Sequence, residues 1–203
     1  MARWEPDTRG RLLRAAVELF AERGYEATTA AQIADRANVT RTTLFRHFAD
    51  KREILFQGQG QDELVALAAD GVAAAPPASA PFEVLRAGVL PLCAVHTEDR
   101  RGIRQGLATV IPASPELRER AVHKRSAVAD ALHAALADRL GDPRQAGVLA
   151  DLGVRAYYDG YAAWIDAEER EPLADVVRAE LDAAESALVR VAFSTLAATA
   201  PRP

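Results

Sequence analysis

The sequence predicts an all-α protein of about nine helices: a small N-terminal helix-turn-helix domain over residues 1–50, then a larger helical domain over 51–203. Three observations predict it. Apolar residues recur at helical spacing and never alternate with polar ones for long. Helix starts are marked again and again by a capping Ser, Thr or Asp, by a proline one residue on, or by both. No hairpin signal, an Asn-Gly or Asp-Gly set between alternating apolar residues, interrupts the pattern.

Taken in order, Asp7-Thr8 precedes Leu12, Leu13, Ala16, Val17, Leu19 and Phe20, a first helix that stops at Gly24. Thr29-Ala-Ala-Gln32 is a capping box opening a short second helix through Ala37. Asn38 sits where the turn needs a left-handed residue, which asparagine tolerates, and Val39 fills the space between the helices. Thr40 caps a third helix to about Phe48. Asp50-Lys-Arg-Glu53 opens a fourth, running to the Ala/Pro stretch that ends at Pro81. Pro81 begins a fifth, to about His96, which Pro91 should kink. A sixth covers Gly102 to Ile111, and Ser114-Pro115 starts a seventh ending at Leu140-Gly141. Asp142-Pro-Arg-Gln145 starts the eighth, to about Glu168, and Glu171-Pro172 the ninth, to about Ala198.

Composition narrows the function. Hydrophobic residues are 49% and charged residues 27% of the 203, which is globular rather than disordered. No apolar run is long enough to span a bilayer, and the first residues lack a secretory apolar segment, so a cytoplasmic protein is expected. Cys93 is the only cysteine, which excludes an internal disulfide and any cysteine-cluster metal site. Set among Leu92, Ala94 and Val95, it reads as a buried small hydrophobe rather than a redox sensor. The four histidines form no chelating pair, and no P-loop, His-Glu-x-x-His or Gly-x-Ser-x-Gly occurs. No enzyme, metal or cofactor is therefore expected. Residues 1–57 hold ten basic and eight acidic side chains, while 58–203 hold fifteen and twenty-one. The mildly basic front on an acidic body points, weakly, to a polyanion partner for the front alone.

In the third helix Leu44 and Phe48 share the inward face, while Thr42 and Arg46 point nearly opposite, flanked by Thr43 and Phe45. Two short helices, the second polar on its outer side, describe a helix-turn-helix whose second helix fits the major groove of DNA. The stretch from Leu19-Phe20 through Gly24-Tyr25, Thr28-Thr29 and Ile33-Ala34 resembles the start of a TetR-family repressor. Ala37 to Leu55, with Val39-Thr40, Thr43-Leu44-Phe45, His47-Phe48 and Lys51, resembles that family's recognition segment. The resemblance covers about residues 8–56. It implies an all-helical homodimer that binds a palindromic operator in double-stranded DNA and is released by a small molecule held in the C-terminal domain. It further implies phosphate contacts from Thr29, whose backbone N–H groups would help, and from Lys51. Thr40, Phe45 and His47 would line the backbone edge, and Arg41, Thr42, Thr43 and Arg46 would reach base edges. Thr29, Thr40 and Asp50 also read simply as helix caps. The family usually has glycine at Asn38, often glycine at Thr42, and commonly tyrosine at Phe45. Phe45 therefore lacks the hydroxyl that would bond a phosphate. An activator, or a regulator without ligand, is the alternative within the class; an all-helical enzyme or a scaffold that never touches DNA lies outside it.

The C-terminal part carries two expectations. Leu173, Val177, Leu181, Ala184, Leu188, Val191 and Thr195 mark one face of the last helix, and Ala146, Gly153 and Gly160 give the preceding one a stripe of small residues. Together they suggest a four-helix bundle across a dimer axis, with packing inside one chain as the other option. Leu85, Val89, Leu92, Cys93 and His96, then Leu107 and Val110, then Tyr157, Tyr161 and Trp164 are candidates to line a largely apolar effector site. For the three aromatics, protein core or dimer core is the competing assignment.

Overall fold

The computed structural model describes residues 7–56, 61–96, 101–168 and 171–199. Among them are ten α-helices, one 3₁₀ helix and no strand. The helices are α1 Thr8–Arg23, α2 Ala30–Arg36, α3 Arg41–His47, α4 Glu53–Phe56, α5 Gln61–Ala74, α6 Pro81–Val89, α7 Arg101–Ala113, α8 Pro115–Leu140, α9 Pro143–Asp166 and α10 Leu173–Thr199. The fourth helix expected from the sequence corresponds to α4 and α5, and residues 57–60 lie outside the described residues. None of the described helices is long and apolar enough to cross a membrane.

The chain divides into two compact units, residues 1–64 with 96–127 and residues 65–95 with 128–203. The helix-turn-helix expected over 1–50 lies within the first unit. Its helices end where the local chemistry stops them. The Asp7 side chain accepts the Gly10 N–H at 2.9 Å, and Gly24, at φ 83°, donates its N–H to the Phe20 carbonyl. Thr29 and Gln32 form the reciprocal box: Gln32 Oε1 accepts the Thr29 N–H at 2.8 Å, and Thr29 Oγ1 accepts the Gln32 N–H at 3.3 Å. Asn38 takes the left-handed conformation, φ 53°, and the Val39 N–H returns to the Ala34 carbonyl. Thr40 Oγ1 caps α3 through the Thr43 N–H at 3.0 Å. Leu12, Ala16 and Phe20 of α1 share one apolar core with Ile33, Leu44, Phe48, Ile54, Leu107, Val110 and Leu117.

A Cβ at position 38 is forced against the following carbonyl, and alanine lacks the side-chain oxygen that offsets this in asparagine. Asn38→Ala is therefore expected to destabilise the chain by about 1 kcal/mol, and Asn38→Gly to leave it as stable or better. Urea midpoints at constant slope measure both.

In the second unit, α6 gives way after Val89 to a 3₁₀ helix, Leu90–Val95. The reason is Pro91, which has no N–H for the carbonyl four residues back and crowds it. A tightened segment thus replaces the expected kink in a continuous helix. The Ala/Pro stretch is a turn between α5 and α6, where the Arg139 guanidinium donates to the carbonyls of Ala75 and Pro76 at 3.2 and 2.7 Å. The small residues of α9 serve packing inside the chain, which corrects their assignment to the dimer interface. A Cβ on Gly153 would stand 2.6 Å from Leu85 and 2.9 Å from Val89, and one on Gly160 2.9 Å from Val177. Leu173, Val177 and Leu181 are buried in the same unit, and Arg86 of α6 is paired with Asp182 and Glu185 of α10. Beyond Ala184 the helix is different: Leu188, Val189, Val191 and Phe193 are all exposed. The side chain of Thr195 lies outside the described residues.

Candidate nucleic-acid interface

Two buried side chains orient α3. Leu44 is inaccessible and Phe48 nearly so, both in the core against α1. With that side fixed inward, helical geometry turns Arg41, Thr42, Phe45 and Arg46 to solvent, and all four are exposed. Phe45 is 46% exposed, a large apolar surface next to two arginines. Such a surface presents bidentate donors for guanine, a threonine hydroxyl and methyl, and an apolar face for a thymine methyl or a sugar. Thr43 is half-buried, its hydroxyl 2.9 Å from that of Thr40, so the two threonines close the start of the helix together. Thr29 and Thr40 are exposed as well as capping, so the two roles expected of each coexist.

His47 is half-buried at the end of α3. Its pKa is lowered by burial first, then by the positive charges of Arg46 and Arg9. Arg9 was not visible as a site residue in the sequence. Its guanidinium stands 5.8 Å from the centre of the Phe48 ring, which adds a third arginine to this region. Only tertiary packing joins it to α3, so no spacing rule could have found it. Arg36 is engaged elsewhere, paired with Glu22 at 3.0 Å and Glu18 at 3.3 Å on α1.

Lys51 departs from its expected place at a phosphate. Its ammonium points into the first unit and donates to the carbonyls of Tyr25 at 2.8 Å and Thr28 at 3.1 Å. The ring of Tyr25 lies beneath it, 4.0 Å from Nζ to the centroid. Asp50 behaves as the cap it resembled, accepting the Glu53 N–H at 2.8 Å.

The candidate effector residues do not all share a unit. Leu107 and Val110 are packed in the first unit's core with α1. His96 belongs to that unit too, held neutral with a pKa lowered to about 3 by burial, then by Arg104 and Lys124. Leu85, Val89, Leu92, Cys93, Tyr157, Tyr161 and Trp164 belong to the second unit. All but the half-buried Tyr161 are buried there, and the Trp164 indole N–H is already donated to the Glu171 carbonyl at 3.0 Å.

The Cys93 thiol is pushed up to about 12 by burial, against a smaller opposing effect of Arg178. The reactive thiolate is thereby suppressed at neutral pH. A chromogenic disulfide reagent is expected to leave Cys93 unmodified in the native chain and to titrate one thiol after unfolding. Fast native-state reaction would contradict the burial.

Comparison with known proteins agrees with this geometry. Residues 12–57 match the family model described as bacterial regulatory proteins, tetR family. The transcriptional regulator TcmR of Streptomyces glaucescens is 53% identical over 47 residues, which are 23% of this chain and 21% of that protein. The transcriptional activator FasR of Mycolicibacterium smegmatis is 48% identical over 48 residues, 24% of this chain and 22% of that one. The similarity thus spans about a fifth of the length of these curated relatives. Among solved structures, the TetR family regulator PfmR from Thermus thermophilus superposes with a TM-score of 0.53 at 25% identity, over 86% of this chain and 96% of that one. The capped α2 and α3, the left-handed turn at Asn38 and the outward arginines of α3 all lie within residues 12–57, the segment that is similar to the tetR family of bacterial regulatory proteins.

Proposed function

We propose that the chain is a DNA-binding transcriptional regulator that reads a palindromic operator as a homodimer and releases it on binding a small molecule. The observation that carries this is α3, with Leu44 and Phe48 buried on one side and Arg41, Thr42, Phe45 and Arg46 exposed on the other. Arg41, Thr42, Thr43 and Arg46 read base edges. Thr29, Thr40, Phe45 and His47 border the phosphates and sugars. The dimer forms through the exposed apolar end of α10, since four of the seven large exposed hydrophobics among the described residues lie there, at Leu188, Val189, Val191 and Phe193. A twofold dimer sets two recognition helices about one DNA turn, ~34 Å, apart. The effector is a largely apolar molecule held in the second unit near Leu85, Val89, Leu92 and Tyr161. Operator release on effector binding makes the chain a repressor. Activation is the second reading, favoured by the similarity of this segment to FasR, which is an activator.

Selection from a randomised duplex library, followed by gel shift, tests the reading. An enriched inverted repeat bound by two protomers supports it. Failure to enrich any sequence overturns it. Transcription from a promoter carrying the selected duplex falls on adding the protein if it represses and rises if it activates.

A further inference from the structure

Lys51 belongs to a chain of contacts that leads away from α3, entirely within the first unit. Its ammonium holds two carbonyls of the turn between α1 and α2, those of Tyr25 and Thr28. The same turn is pinned by Thr28, whose buried hydroxyl donates to the Gly24 carbonyl at 2.8 Å. Tyr25 is 5% exposed, packs edge-on against Phe20, and donates its hydroxyl to the Glu116 carboxylate at 3.0 Å. Glu116 stands in the first turn of α8 and also meets Arg52 at 3.6 Å. One turn further along α8, Arg120 is paired with Glu53 of α4 at 3.1 Å. Two rungs therefore join the start of α8 to the segment 50–53, and Lys51 passes that attachment on to the turn that delivers Thr29. A lysine kept for phosphate binding needs an ammonium open to solvent. This one is half-buried against two carbonyls and an aromatic face.

We propose that Lys51 and Tyr25 are positioning residues, which tie the first turn of α8 to the turn that opens α2 and so set the placement of the helix-turn-helix. Helix α8 is continuous from Pro115 to Leu140, with its later half in the second unit. This rests on the DNA-binding reading above and adds to it the residues that hold the reading head in place.

The test is binding to the selected duplex at a series of NaCl concentrations, alongside thermal unfolding of the free proteins. Lys51→Met keeps the apolar stem and removes the ammonium; Tyr25→Phe keeps the ring and removes the hydroxyl. Each is expected to weaken binding by roughly 10-fold per half-site, about 100-fold for the dimer, the loss of one strong hydrogen bond in each protomer. The slope of log K against log salt stays at the wild-type value. The double variant loses less than the product of the two single losses, because both cut one linkage. Glu116→Gln, which keeps an acceptor for the tyrosine hydroxyl, retains wild-type binding, whereas Glu116→Ala matches Tyr25→Phe. Glu116 is 45% exposed, so this pair remains informative if a buried substitution fails to fold. A slope lowered by about two per dimer in Lys51→Met identifies a plain phosphate contact and overturns the proposal. Wild-type binding by Tyr25→Phe and Glu116→Ala overturns it as well. A wild-type chain that selects no duplex overturns the DNA-binding reading itself, an outcome distinct from these.

Discussion

Val189→Asp combined with Phe193→Asp is expected to leave a folded monomer that binds the operator about 10²–10⁴-fold more weakly than the parent. The two residues are 48% and 69% exposed and stand one helical turn apart on α10, so aspartate there costs the protomer little packing. In a dimer the same change places four carboxylates in an apolar contact, where unpaired charge is strongly unfavourable. Losing the dimer turns the second half-site from an intramolecular contact into a separate event, and avidity is lost with it. Light scattering measures the mass and gel shift the affinity, both at one protein concentration. A double variant that stays dimeric places the interface elsewhere. A monomer that binds as tightly as the parent removes the two-headed mode of reading.

Local signals in the sequence proved legible to the residue. Thr29 with Gln32, Thr40 and Asp142 cap helices because their side-chain oxygens reach N–H groups two or three positions on, a relation fixed by sequence distance alone. Asn38 was legible for the same reason, since a three-residue turn between helices requires a left-handed residue. Spacing also showed which face of α3 is buried. What spacing could not show is what lies opposite. Gly153 and Gly160 follow the seven-residue step of a helix crossing, and the pattern is the same whether the crossing helix belongs to another protomer or, as found, to α6 and α10 of the same chain. Lys51 resembles a family position in sequence, yet its ammonium is directed by Tyr25 and Thr28, more than twenty residues earlier. His96 and Trp164 were among the residues expected to line an effector site. The Trp164 indole N–H is donated to a carbonyl seven residues away, and burial first, then Arg104 and Lys124, lowers the His96 pKa to about 3, neither of which sequence spacing shows.

Arg46→Ala is expected to lower operator affinity by about 1–3 kcal/mol per half-site, hence about 2–6 kcal/mol for a dimer in which the two sites contribute independently. The residue is exposed on α3, on the side opposite Leu44 and Phe48, with the Arg9 guanidinium adding to the same electropositive region. A guanidinium there offers two parallel donors, the geometry that guanine O6 and N7 accept. Truncation should therefore relax preference at one base position per half-site as well as weaken binding, which a phosphate contact would not do. Stability of the free protein should change little, because an exposed side chain is removed. Arg36→Ala is the matched control. Its charge sits one helix earlier but is committed to Glu18 and Glu22, so base preference should be unchanged. Selection from the randomised library, repeated with each variant, reads the preferences directly. An Arg46→Ala profile identical to the parent's removes this arginine from base readout and leaves Arg41 and Thr42 as the exposed polar groups of α3 able to supply it.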